Sequence, residues 1–178
     1  MNAIASRTLN LLVASLLFAC FTSTAAETLK VGDKAPLVSG KDQDGKDWKL
    51  ADLIGKQNVL LYFYPKDGTP GCTKEACSFR DQLEDFKKLN VQVIGVSFDT
   101  AQSHLEFISK QRLNFPLLAD TDGKITDAYG ARGGDRNISR RASFLIGLDG
   151  KILHVTDTPS ADVHIREMKE AVDKLKKP

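Results

Sequence analysis

The order of hydrophobic and polar residues along the chain predicts alternating strands and helices. Residues 59–64 form a continuous apolar and aromatic run, which is typical of a strand buried on both faces, and Pro65 ends it. From Cys72 to about Leu89, apolar residues recur every three or four positions and predict a helix. The pattern predicts further strands at 91–96, 115–118, 143–146 and 151–155, helices at 101–112 and 163–175, and a helical turn at 125–129.

Residues typical of turns predict how some of these elements are connected. Asp42-Gln43-Asp44-Gly45 lies between two short apolar runs and predicts an N-terminal β-hairpin, and Leu148-Asp149-Gly150 predicts a second hairpin near the C-terminus. In the helix 101–112, we expect Leu105 and Ile108 on one side. The order predicts an α/β fold, a thioredoxin-like sandwich with a central mixed sheet flanked by helices and an N-terminal β-hairpin.

The first 26 residues differ from the rest of the chain in charge and in hydrophobicity. Arg7 is the only charged residue before Glu27, 11–21 is almost wholly apolar, and small residues follow at 24–26. A bilayer core needs roughly 20 apolar residues in a helix, so this run is too short to span it. The pattern predicts a signal peptide cleaved after Ala26, export to the bacterial periplasm, and one domain over 27–178.

A second interpretation of the same segment stays open. Leu17-Phe18-Ala19-Cys20 resembles a loose bacterial lipobox, in which Cys20 would carry a lipid anchor, although Phe18 is bulky for that pattern. Cleavage after Ala26 removes Cys20 and leaves Cys72 and Cys77 in the mature protein.

Charge and composition narrow the function classes. The net charge of +2 and the lack of a block of like charges argue against a nucleic-acid surface. The histidines at 104, 154 and 164 lack the spacing of metal ligands, so we expect them on the surface or in the core, with no metal and no cofactor. Trp48, Tyr62 and Tyr64 are expected in the core. The glycine-rich stretch 131–136 is interpreted as a mobile loop without an assigned role.

The cysteines stand in a specific motif. Pro65, Thr69 and Cys72 are spaced as Pro-x-x-x-Thr-x-x-Cys, and Cys77 follows five positions after Cys72. The segment 62–77 resembles the active-site segment of peroxiredoxins, within them the bacterioferritin comigratory protein (PrxQ) branch. The distant arginine of that family matches Arg141. Its neighbour Arg140 raises a question of register, and the position two before the Ser that precedes Phe144 favours Arg141.

This resemblance implies a thiol-dependent peroxidase. Cys72 would attack the hydroperoxide as a thiolate, which a helix N-terminus and a neighbouring arginine favour, and become a sulfenic acid. The hydroxyl of Thr69, the guanidinium of Arg141 and nearby backbone amides would act as donors to the leaving oxygen, and Pro65 would shield the sulfenic acid. Cys77 would then form a disulfide with Cys72. A thioredoxin-like or other dithiol reductant would reverse it, and members of this branch are often monomers.

Helix geometry constrains that disulfide. Five residues along a helix give a Cα separation of roughly 8.5–9 Å, whereas a disulfide rarely tolerates more than about 7 Å. We therefore expect the first turns of this helix to unwind in each cycle, with Gly68 and Gly71 as the places where the backbone yields.

Other functions remain to be weighed. The two cysteines could form a static disulfide, or a redox-sensing switch without catalysis, and peroxide consumption driven by a dithiol would exclude both. A thioredoxin-type oxidoreductase would need Cys-x-x-Cys, which the sequence lacks. For Glu75 and Arg80, on the helix that carries Cys72, a structural role and a catalytic role are both open.

Overall fold

The computed structural model describes residues 29–134 and 136–176, so the expected signal peptide at 1–26 lies outside the described residues. Within these described ranges, seven strands and four α-helices follow the predicted order. The strands are β1 (Ser39–Lys41), β2 (Asp47–Lys49), β3 (Asn58–Phe63), β4 (Val91–Ser97), β5 (Leu117–Ala119), β6 (Ala142–Ile146) and β7 (Ile152–Asp157). The helices are α1 (Pro70–Lys88), α2 (Ala101–Gln111), α3 (Lys124–Ala128) and α4 (Ala161–Asp173), with short 3-10 turns at Leu50–Asp52 and Lys174–Lys176.

The central sheet is mixed, as predicted. Its five strands run in the order β5-β4-β3-β6-β7, with β3, β4 and β5 parallel and β6 and β7 antiparallel to their neighbours. All six residues of β3 are buried, which agrees with the continuous apolar run in its sequence. Strands β1 and β2 form the separate N-terminal hairpin, in which Gly45 has φ of +76°.

Two hydrophobic clusters cover the two faces of the sheet. The first cluster combines α1, α2 and α4 with Tyr62 and Tyr64 of the β3 region, and both tyrosines are buried as expected. The second combines α3 and the first 3-10 turn with the other face, and the half-buried Trp48 packs against it. Burial on both faces gives the layered arrangement that the alternation of strands and helices predicts.

The structure adds detail to two of the predicted elements. In α2 the buried residues are His104 and Phe107, whereas Leu105 is 40% exposed. His104 is buried because it contacts other buried polar groups. The strand predicted at 115–118 begins only at Leu117, because Pro116 has no N–H for the ladder.

Within the described ranges, no helix is long and apolar enough to cross a membrane.

Candidate functional site

The connection between β3 and α1 places Cys72 at a helix start. Gly68 takes the left-handed conformation, with φ of +71°, which a residue with a Cβ rarely adopts. Thr69 is the N-cap of α1, and Pro70 fills the first helical position, where a missing N–H costs nothing. Cys72 therefore lies in the first turn, 1% exposed, where unpaired backbone N–H groups favour a negative charge.

Arg141 reaches the same point from the neighbouring strand. It directly precedes β6, whose antiparallel register sets Ala142 opposite Phe63, the last residue of β3. The Nη2 of Arg141 donates a hydrogen bond to Cys72 Sγ at 3.4 Å. A Cβ added at Gly71 would lie 3.2 Å from Nη2, so this glycine allows the close approach of the guanidinium.

Two further partners fix the guanidinium. Its Nη1 forms a buried ion pair with Glu75 Oε2, one turn after Cys72 on α1. Its Nε donates to the Pro159 carbonyl at 3.2 Å, in the connection between β7 and α4. Burial disfavours the charge on Arg141, but Glu75 and Cys72 outweigh it and raise the pKa of the guanidinium, which stays charged.

Behind this ion pair lies a buried histidine. Burial raises the pKa of Glu75 to about 7, with Arg141 opposing the change. His164 Nδ1 lies 3.7 Å from the second carboxylate oxygen of Glu75 and 2.7 Å from the Ser143 hydroxyl. Burial lowers the pKa of His164 to about 4, so the ring is neutral at pH 7. Its Nε2 donates to the Thr158 carbonyl at 2.9 Å, and Nδ1 therefore accepts from Ser143.

Pro65 and Thr69 lie in the connection that leads from β3 to Cys72. The hydroxyl of Thr69 donates to the Lys66 carbonyl at 3.2 Å, so its proton is already engaged within the loop. Pro65 lines a pocket of about 280 Å³ together with Pro159, Thr158, Arg141 and the ion-paired Arg140 and Asp157. The predicted site residues 65, 69, 72 and 141 thus come together at one end of the sheet.

Cys77 lies further along α1, half-buried and apart from this pocket. The two thiols are free, and α1 is helical through both positions. Cys77 Sγ lies 3.8 Å from Gln111 Oε1, at the end of α2, and accepts a hydrogen bond from Arg80 Nη1 at 3.5 Å. Arg80 therefore contacts the second cysteine, whereas Glu75 contacts the arginine beside the first.

Several members of the site were not predicted. Ser143, Thr158, Pro159 and the placement of His164 behind Glu75 depend on contacts between distant parts of the chain. The one local signal was Glu75, three positions after Cys72 and thus on the same helix face.

Comparisons with known proteins identify the family. The model of the AhpC/TSA family matches residues 31–155. A protein named Peroxiredoxin Bcp from Escherichia coli (strain K12) is 45% identical over 135 residues, which are 72% of this chain and 86% of that protein.

Two solved structures share the fold. The crystal structure of peroxidoxin BcpB from Mycobacterium tuberculosis has a TM-score of 0.76 at 33% identity and covers 83% of this chain and 96% of its own. A bacterioferritin comigratory protein from Xanthomonas campestris, studied for its alkyl peroxide reduction activity, has a TM-score of 0.72 at 26% identity. That match covers 82% of this chain and 96% of the other.

Proposed function

The chain belongs to the AhpC/TSA family of peroxiredoxins, and on that premise we propose that Cys72 attacks the hydroperoxide and Cys77 resolves the product. It is a thiol peroxidase of the Bcp/PrxQ branch, an enzyme that reduces hydroperoxides. The assignment of Cys72 rests above all on one contact, the 3.4 Å hydrogen bond from Arg141 to its sulfur at the start of α1.

The first step is a displacement at oxygen. The Cys72 thiolate attacks one peroxide oxygen, so that an S–O bond forms as the O–O bond breaks. The sulfur is oxidised to a sulfenic acid, and the other oxygen leaves with the electron pair and takes up a proton to become water or an alcohol. Arg141 stabilises the negative charge on the sulfur, and as a fixed donor it also stabilises the charge that develops on the oxygens.

Thr69 takes part as an acceptor. Because its hydroxyl proton is donated to the Lys66 carbonyl, its lone pairs are available to the O–H of the incoming hydroperoxide. This differs from the donor role that the resemblance alone implies, since a donated proton cannot also serve the leaving oxygen. Positioning the peroxide between Thr69 and Arg141 would align the O–O bond with the sulfur.

The pocket supports both hydrogen peroxide and small organic hydroperoxides as substrates. Its volume of about 280 Å³ exceeds what hydrogen peroxide needs, and the rings of Pro65 and Pro159 offer apolar walls to an alkyl group. Pro65 also limits access of water and of further peroxide to the sulfenic acid.

Resolution joins the two cysteines. The Cys77 thiol loses its proton and the thiolate attacks the sulfenic sulfur of Cys72. An S–S bond forms, the S–O bond breaks, and the departing hydroxide takes up that proton and leaves as water. Both residues belong to a helix that holds their Cα atoms roughly 8.5–9 Å apart, so the first turns of α1 must unwind before the disulfide can close. A thioredoxin-like or other dithiol donor then reduces the disulfide by exchange.

We further propose that the enzyme is exported as a monomer and acts in the bacterial periplasm. The sequence at 1–26 supports this, with lipid attachment at Cys20 as the alternative. The electron donor must then also reach this oxidising compartment. Intact mass of the exported protein distinguishes the two, because cleavage after Ala26 gives an N-terminal Glu27, whereas a lipoprotein begins at a lipidated Cys20.

Mass spectrometry after one equivalent of peroxide tests the mechanism. The wild-type protein should lose two hydrogens to an internal disulfide, and Cys77→Ser should instead gain one oxygen on Cys72. Cys72→Ser is the matched control and should stay unmodified. Peroxide consumption by Cys72→Ser at the wild-type rate, with a dithiol as donor, would overturn the assignment.

A further inference from the structure

A second buried polar cluster joins the active-site loop to α2. Asp67 lies two positions before Thr69, and its side chain is only 7% exposed. Its carboxylate accepts hydrogen bonds from the Tyr64 hydroxyl at 2.7 Å and the Ser103 hydroxyl at 2.8 Å. His104 Nδ1 lies 2.9 Å from the same carboxylate. None of these side chains has a part in the mechanism described above.

Buried polar groups contact both ring nitrogens of His104. The residue is fully buried, with Nδ1 2.9 Å from the Asp67 carboxylate and Nε2 3.2 Å from the Leu118 carbonyl. Burial disfavours the charge on Asp67, but the bonds from His104, Tyr64 and Ser103 lower its pKa overall. Asp67 and His104 therefore form a buried hydrogen-bonded pair that joins the active-site loop to α2.

Helix α2 contacts both Asp67 and Cys77. At its start, α2 presents Ser103 and His104 to the loop, and at its end Gln111 contacts the Cys77 sulfur. Gln111 also accepts a hydrogen bond from Arg80 through its backbone carbonyl. Both segments that must move for the disulfide to form are thus attached to one helix.

We propose that Asp67 and His104 are positioning residues that hold the active-site loop on α2 and so set the rate at which Cys77 reaches oxidised Cys72. This inference rests on the proposed resolution of Cys72 by Cys77. Unwinding of α1 begins at Pro70, three positions after Asp67, so the attachment of Asp67 limits how far this part of the chain can move.

Separating the pair leaves a buried carboxylate and a buried imidazole without their hydrogen-bond partners, which is costly. That cost adds to the barrier for unwinding. The pair moves no proton and no electron, since resolution itself converts Cys72–SOH and Cys77–SH into a disulfide and water. Its effect is to keep Cys72 beside Arg141 during peroxide attack and to delay the closing of the disulfide.

Rapid-quench mass spectrometry separates the two steps, because the sulfenic acid adds one oxygen and the disulfide removes two hydrogens. In Asp67→Asn and in His104→Gln, resolution should be faster by about tenfold or more, since each change disrupts the buried contact between residues 67 and 104. Peroxide attack should change by less than about threefold, because Arg141 and the helix start remain. The double variant should accelerate resolution by less than the product of the two single effects.

Ile152→Ala is the control for a general loss of stability. Ile152 is 1% exposed and belongs to the second cluster, on the other face of the sheet. This variant should lower the melting temperature and leave the resolution rate unchanged. If Asp67→Asn and His104→Gln do not fold, Tyr64→Phe and Ser103→Ala replace them in the test. Each of these removes one hydrogen bond to Asp67, and each should accelerate resolution by about two- to fivefold.

Unchanged or slower resolution in the folded variants overturns the role of the pair. A wild-type protein that forms no disulfide after peroxide overturns resolution by Cys77 as well. The two failures are therefore distinguishable in one experiment.

Discussion

Arg141 and Cys72 are 69 positions apart in the chain, yet Nη2 of the arginine lies 3.4 Å from the cysteine sulfur. The same guanidinium pairs with Glu75 and donates to the Pro159 carbonyl. These three contacts use different N–H groups of one planar fork, so the donor to the sulfur is held in place before peroxide arrives. A lysine ammonium could occupy the same space, but its three N–H groups do not lie in one plane and could not reach all three partners.

We expect Arg141→Lys to slow the reaction of Cys72 with hydrogen peroxide by about a hundredfold or more, because a fixed donor to the developing charge is lost. The second-order rate constant from competition with a reference peroxidase measures this. Arg132→Lys is the matched control, since Arg132 pairs with Asp127 and stacks over Phe98, and its rate should equal that of wild type. An Arg141→Lys enzyme of wild-type rate would remove Arg141 from the mechanism.

The disulfide form should have lost the start of α1. Hydrogen exchange followed by mass spectrometry should show amides of residues 73–77 protected in the reduced protein and exposed after oxidation, because the helix cannot accommodate the S–S bond. Cys77→Ser, treated with peroxide in the same way, should keep its protection. Retained protection in a fully disulfide-bonded sample would contradict the unwinding.

Glu75 should make the protein less stable as pH rises. Burial raises its pKa to about 7, above the ordinary value of 4.5, so between these values the native state retains a proton that the unfolded state has released. The free energy of unfolding therefore falls as pH rises through this window, by at most about 1.4 kcal/mol per pH unit, and the loss persists above it. In Glu75→Gln this fall should be absent. Urea unfolding from pH 4.5 to 8 measures the free energy of unfolding of the wild type and of Glu75→Gln. The same pH dependence in both proteins would contradict the raised pKa of Glu75.

His164 should make the protein more stable as pH rises. Burial, with Arg141 nearby, lowers its pKa to about 4 from 6.5, so in this range the unfolded state binds a proton that the native state does not. The contribution of His164 to stability is thus present above pH 6.5 and is lost as pH falls toward 4. His164→Gln should flatten that part of the curve. The imidazole NMR signals of His164 should stay those of a neutral ring at pH 5.5, and a midpoint near 6.5 would contradict the assignment.

Sequence reasoning succeeded where the signal is local. The continuous apolar run of β3, the proline that ends it and the glycines before Cys72 together predict a strand, a loop and a helix start, and the structure has all three. The same holds for the turn at Gly45, because a positive φ favours glycine at that position. Such features depend on neighbours in the chain, so the pattern of residues contains them.

The polar contacts behind the site could not be predicted in this way. Glu75, Ser143 and His164 come from three elements, and only the packing of α1 and α4 against β6 brings them together. The burial of His104 has the same origin. Hydrophobicity cannot indicate that His104 is fully buried, because its burial depends on Asp67, which lies 37 positions away.

The strand pairing of β6 also decides between two adjacent arginines. With Ala142 opposite Phe63, Arg141 faces the sulfur while Arg140 turns to Asp157 on the neighbouring strand. Because side chains alternate between the faces of a strand, a slip of one residue would exchange their surroundings. The turn at 147–150 joins the other end of β6 to β7 and so sets the alignment of these two strands, in which Ala142 lies opposite Asp157. Lengthening or shortening this remote turn should therefore move Asp157 away from Arg140 and leave Arg141 beside the sulfur, because the pairing of β3 with β6 does not depend on it.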